Sequence, residues 1–117
     1  LYGADALEAD KPLFDVCLLG LGEDGHTASL IPGQPVLQEH AKWVAAVPAG
    51  RTEVRITLTF PAIESSHVTI FLVEGEKKRG ILERMLSGDR SVPAGMLRPA
   101  GELLWFADRA AAGRWAG

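Results

Sequence analysis

Asp24 and His26 stand one residue apart in the segment Phe14–Gly33, FDVCLLGLGEDGHTASLIPG. An imidazole titrates near neutrality and is suited to take a proton from water, and a carboxylate close by can orient it or tune its basicity. The same segment carries Gly20, Gly22 and Gly25 in the spacing G-x-G-x-x-G, so a dinucleotide cradle competes with a turn that sets Asp24 and His26 in a pocket. The dinucleotide reading needs a full crossover helix after the loop and a ribose-binding acid about 20 residues beyond the last glycine. Here Pro32 and Gly33 cut the following segment short, and the stretch in the acid's place, WVAAVPAG, contains none. What remains is a strand end and a glycine turn with Asp24, His26, Thr27 and Ser29, opening onto a helix amino terminus. The competing structural reading is that Asp24 merely caps a short helix and His26 is an exposed first-turn residue.

Two cationic features could hold an anion. In VRITLTF, Val54, Ile56, Leu58 and Phe60 alternate with Arg55, Thr57 and Thr59. Arg55 thus lies on a polar strand face, which either grips phosphate with its fork of donors or is simply solvated. Lys77, Lys78 and Arg79 fall in the first turn of a predicted helix. Positive charge there opposes the helix dipole, a placement that a bound anion relieves, although solvated lysines are an ordinary alternative. His40 and His67 read as structural or exposed. Asp24 and His26 are too few for a metal site and no other histidine or cysteine sits at ligand spacing, so no metal or cofactor is expected. Cys17, among apolar neighbours, reads as an inert core thiol. Trp43, Trp105 and Trp115 are too widely spread for a base-stacking platform and read as packing or interface residues.

These residues need elements to hold them. FDVCLL is apolar apart from Asp15, as in a strand covered on both faces. A short helical segment is expected from His26 to Leu30, then loop from 34 to 42. KWVAAVPA and VRITLTF follow as strands, with a helical turn at PAIESS and a nearly continuous apolar strand at HVTIFLVE. A helix after Gly75 buries Ile81, Leu82, Met85 and Leu86 and stops at Gly88. The proline-rich SVPAGMLRPAG leads to a last strand, ELLWFAD, and a final helix that Asp108 is suited to cap. The alternation of strands and helices predicts an α/β fold, a layered and mostly parallel sheet flanked by helices. We read residues 1–117 as a single unit with 1–13 as lead-in.

Composition bounds the partners. The 117 residues are 47% hydrophobic and 23% charged, as in a globular domain, with a net charge of −3. No global positive field recruits nucleic acid or an anionic membrane surface. The one cysteine excludes a disulfide framework and suits a reducing compartment. No apolar run approaches a membrane span and the first residues lack a signal-peptide layout, so the expected location is cytoplasmic. The chain opens on Leu1 without methionine and reaches a long buried strand almost at once, which raises the expectation of a fragment.

The segment Phe14–Gly33 resembles the signature of the 6-phosphogluconolactonases, approximately F-D-h-L-L-G-h-G-x-D-G-H-T-A-S-L-F-P-G, where h is hydrophobic. Three further stretches are similar to that family and follow in its order: RITLT, VEGEKKRGIL and VPAGMLRPAGELLWFADRAAA. The related glucosamine-6-phosphate deaminases share D-G-H but continue differently, whereas Thr27, Ala28, Ser29 and Leu30 here favour the lactonase. Ile31 stands where an aromatic residue is usual, and Arg79 where alanine is common. The resemblance implies hydrolysis of 6-phosphoglucono-δ-lactone, a step of the pentose phosphate pathway, without a cofactor. His26 would deprotonate water, Asp24 would position it, Arg55 and Lys78 would hold the phosphosugar, and the turn from Gly22 to Gly25 would offer amides to the oxyanion. The family's domain is longer, with a glycine-rich phosphate loop and a further arginine in its amino-terminal half. The chain is therefore expected to be the carboxyl-terminal half of such a domain and to need the other half. Two other readings stand beside hydrolysis: a noncatalytic sugar-phosphate-binding domain, and a phosphosugar deaminase or isomerase. Oligomeric state is left open, and His26, Arg55 and Lys78 are expected to share one cavity.

Overall fold

The computed structural model describes residues 2–8, 10–48 and 54–116. In chain order the elements are β1 (Phe14–Leu19), β2 (Val44–Val47), β3 (Arg55–Leu58), α1 (Phe60–Glu64), β4 (Ser66–Val73), α2 (Arg79–Leu86), α3 (Pro93–Met96), β5 (Glu102–Ala107) and α4 (Arg109–Ala112). Single 3-10 turns occur at Pro35–Gln38, Glu76–Lys78 and Gly113–Trp115. The strands expected from apolar runs are present, although Ala49, in the tail of KWVAAVPA, lies outside the described residues. Asp108 caps α4 as its side chain suggested, accepting from the Ala111 amide at 2.9 Å.

A parallel three-stranded sheet in the order β1-β4-β5 carries the fold, and β2 and β3 form a separate antiparallel pair. Register places Cys17 beside Thr69 and Leu19 beside Phe71 on one face. That face is buried, joined in a single core by Ile63 of α1 and by Ile81, Leu82 and Met85 of α2. The helical stripe from Ile81 to Met85 is apolar because only that period keeps one face of α2 on the sheet. Phe71 is fully buried and stacks on Trp105 at 4.2 Å between centroids and 9° between planes. Trp43 meets Tyr2 edge to face, while Trp115 stays 46% exposed.

Two expectations fail here. Cover on both faces of β1 is present on only one: Val16 is 52%, Leu18 61%, Leu72 49% and Phe106 56% exposed. Register lines these residues up with Ile70 and Leu104 on the other face of the sheet. The polar face of β3 is also not simply solvated: Thr57 and Thr59 are buried beside an exposed Arg55, while Val54 and Ile56 on the other face are 65% and 74% exposed. The buried hydroxyls are stable because each has a backbone partner: Thr57 donates to the Leu58 carbonyl at 2.9 Å and Thr59 to the Lys42 carbonyl at 2.6 Å.

Candidate active site

The loop from Gly20 to Leu30 leaves the carboxyl end of β1, the end at which ligands enter open α/β sheets. It closes on itself through two backbone hydrogen bonds, Gly22 N–H to the His26 carbonyl at 2.8 Å and Gly25 N–H to the Gly22 carbonyl at 2.9 Å. Those amides, expected to face an oxyanion, are engaged inside the turn. Gly25 takes φ +87°, in the left-handed region that favours glycine. Gly22 is required for a different reason: a methyl group there would overlap the imidazole of His26 and approach Asp24 Oδ1 to 2.9 Å.

No helix follows. The expected helical segment from His26 to Leu30 is a tight turn, with Thr27 bridging Leu30 and Ala28 at φ +51°. Its donors are satisfied from outside instead. Thr27 Oγ1 donates to the Gly20 carbonyl at 2.8 Å, and the Ser29 amide donates to Thr57 Oγ1 at 3.1 Å. Asp24 therefore caps no helix. Its Oδ1 accepts from the His26 amide at 3.0 Å and from His26 Nδ1 at 2.6 Å.

That contact bears on the tautomer of the imidazole. Partial burial pulls the Asp24 carboxyl upward, but the His26 amide, then its ring, outweigh this and hold the group below its ordinary value. An ionised carboxylate can only accept, so Nδ1 carries the hydrogen and a neutral ring presents the Nε2 lone pair. The side chains are 40% and 55% exposed, which keeps the pair open to a small molecule.

Lys78, half-buried at the entrance to α2, donates from Nζ to the Leu21 carbonyl at 2.6 Å. It therefore grips the same loop that carries His26, and its ammonium lies beside the turn. Arg55 is exposed on β3 and shares a strand face with Thr57, the residue that receives the Ser29 amide. Two cavities among the described residues are lined by residues other than His26, Arg55 and Lys78. One of about 580 Å³ lies at the opposite end of the sheet, around Pro61, Glu64, His67 and Arg98. Another, of about 310 Å³, is formed by Leu82, Leu86, Trp105 and Trp115. His40 and His67 are exposed, and burial pushes the Cys17 thiol up, with a hydrogen bond involving Ser66 opposing it. Among the described residues no group of three potential ligands could hold a metal ion. No helix among them is long and apolar enough to cross a membrane.

Thr57, Leu21 and Val92 belong to the site's support and were not singled out from sequence. The alternation of β3 placed Thr57 with Arg55, but nothing local shows that its hydroxyl reaches Ser29.

The chain is similar to known proteins in sequence and in fold. A family model for "Glucosamine-6-phosphate isomerases/6-phosphogluconolactonase" matches residues 3–105. Rat 6-phosphogluconolactonase is 46% identical over 107 residues, covering 86% of this chain and 41% of the rat protein. The human protein of that name is 42% identical over 113 residues, covering 92% of this chain and 44% of its own length. Among solved structures, a "devB protein" superposes with a TM-score of 0.81 at 30% identity, covering 94% of this chain and 48% of that one. The 6-phosphogluconolactonase of Trypanosoma brucei gives 0.71 at 29% identity, with 87% and 42% covered. The chain thus spans less than half the length of these relatives. With the loop, the parallel sheet and the family match in agreement, this chain belongs to the glucosamine-6-phosphate isomerase/6-phosphogluconolactonase family.

Proposed function

We propose that this chain supplies the water-activating half of an enzyme that hydrolyses 6-phosphoglucono-δ-lactone to 6-phosphogluconate. The observation that carries the reading is the 2.6 Å contact of His26 Nδ1 with Asp24, which leaves Nε2 as the base. Nε2 takes a proton from water while the water oxygen adds to the lactone carbonyl carbon, and Asp24 stabilises the imidazolium that forms. The tetrahedral oxyanion collapses with cleavage of the bond to the ring oxygen, which receives the proton back from Nε2. Lys78 keeps one ammonium hydrogen on the Leu21 carbonyl and offers the others to the phosphosugar, and Arg55 offers a planar fork to the phosphate. The lone buried thiol suits a reducing, cytoplasmic setting.

The remaining portion of the family's domain completes the site by packing on the uncovered sheet face around Leu18, Leu72 and Phe106. Two facts support that occupant: the face is apolar and exposed, and the chain spans only 41% of its rat relative. Hydrolysis by these 117 residues alone is expected to be a small fraction of the rate after joining to that portion; equal rates would overturn this part of the proposal. His26→Asn in the joined protein tests the chemistry. Loss of lactone hydrolysis, measured above the spontaneous rate, with phosphosugar binding retained is the expected result. Unchanged turnover would remove His26 from the mechanism, and a parent that binds but never hydrolyses would make the domain a binding module.

A further inference from the structure

The loop between α2 and β5 is held by a compact set of hydrogen bonds around Asp89. Asp89 Oδ1 accepts from the Ser91 amide at 2.8 Å and the Ser91 hydroxyl at 2.6 Å, and its Oδ2 accepts from Arg84 Nε at 2.8 Å. The Asp89 amide donates to the Arg84 carbonyl at 2.9 Å. This knot ties the loop to the last turn of α2. At its far end Val92, Pro93 and Ala94 are buried.

What they are buried against is the catalytic turn. The Ala94 amide donates to the Gly25 carbonyl at 2.9 Å. A methyl group built on Gly25 would stand 2.5 Å from both Val92 Cβ and Cγ2, so the valine side chain rests on the backbone of Gly25. Gly25 is the single residue between Asp24 and His26. Its peptide planes therefore set how the carboxylate and imidazole face each other.

We propose that Ser91–Ala94 is a brace for the catalytic turn, with Val92 as a positioning residue that fixes Gly25 and, through it, the mutual placement of Asp24 and His26. The knot at Asp89 delivers Val92 at a defined height, because Arg84 and Ser91 hold Asp89 from both sides.

Val92→Ala in the full-length protein is the test, read in two ways. Imidazole 15N shifts report the fraction of the His26 ring in the Nδ1–H form. This fraction is expected to be nearly complete in the parent and to fall in the variant while the backbone spectrum elsewhere is retained. The kinetic readout rests on the proposed hydrolysis: kcat should fall about tenfold, since small displacements of reacting groups carry such factors, with KM within about twofold. An unchanged tautomer fraction with unchanged kcat and only a lower melting temperature would show Val92 to be ordinary packing and overturn the proposal. If Val92→Ala does not fold, Asp89→Asn decides, because it loosens the knot at a partly exposed position outside the core. A reduced Nδ1–H fraction supports the brace, and an unaltered one overturns it. A protein with no lactonase activity in which the tautomer fraction still falls would refute the functional reading alone.

Discussion

Gly22→Ala perturbs the proposed catalytic pair without substituting either member. Gly22 is not among the residues with positive φ, so alanine is tolerated by the backbone. Its methyl group would instead overlap Cε1 and Nδ1 of the His26 ring and sit 2.9 Å from Asp24 Oδ1. Carbon atoms pack at roughly 3.5–4 Å, so the ring must move by about 1 Å or more. That motion breaks the 2.6 Å contact with Asp24 and frees the imidazole to change tautomer. Misplacement on this scale lowers rate by about 100-fold, or about 2.7 kcal/mol of barrier. Stability should change far less. Both side chains are about half exposed, so solvent replaces much of the lost hydrogen bond and the cost is on the order of 0.5 kcal/mol. The assay compares kcat for lactone hydrolysis with the midpoint of thermal unfolding in the same preparation. A variant that keeps the parent's kcat would falsify the claim that the Asp24–His26 contact sets the rate. So would one whose lost activity is explained wholly by unfolding.

Other outcomes follow from the packing and the charges. Phe71→Ala, which empties a fully buried site against Trp105, should cost about 3–5 kcal/mol in denaturant unfolding. A cost below about 1 kcal/mol would mean that the stacked pair is not central to the core. Asp89 is held down to about 2 from an ordinary 3.8 by the Ser91 hydroxyl and amide and by Arg84. A depressed carboxyl stabilises the fold above its unfolded value and loses that contribution as pH falls through the folded one. Unfolding midpoints should therefore drop between roughly pH 4 and pH 2, and Asp89→Asn should flatten that part of the profile. An identical profile in the variant would contradict the knot.

Much of the scaffold was legible from residue order. The apolar runs of β1, β4 and β5 are long enough to exclude most alternatives, and the spacing of Ile81, Leu82 and Met85 admits only a helix with one buried face. Asp108 announced a cap because its side chain can reach an amide three residues on. The chemical types at Asp24 and His26, together with the signature around them, pointed to the family and to the loop. All of these signals are local, and local periodicity survives whatever the rest of the chain does.

The sequence by itself therefore determined the strands and the helices at Arg79–Leu86 and Arg109–Ala112, and which loop carries an acid and a base. Only the tertiary structure decided that residues 26–30 are not a helix, because Thr57 supplies an acceptor to Ser29 from 28 positions away. It likewise decided which face of β3 is buried, since alternation defines two faces but not which one meets a neighbour. Lys78 reaches the Leu21 carbonyl across 57 positions, and Val92 meets Gly25 through a loop that no pattern connects to it. Each of these is a contact between segments remote in the chain, and its energy exists only once both are folded into place.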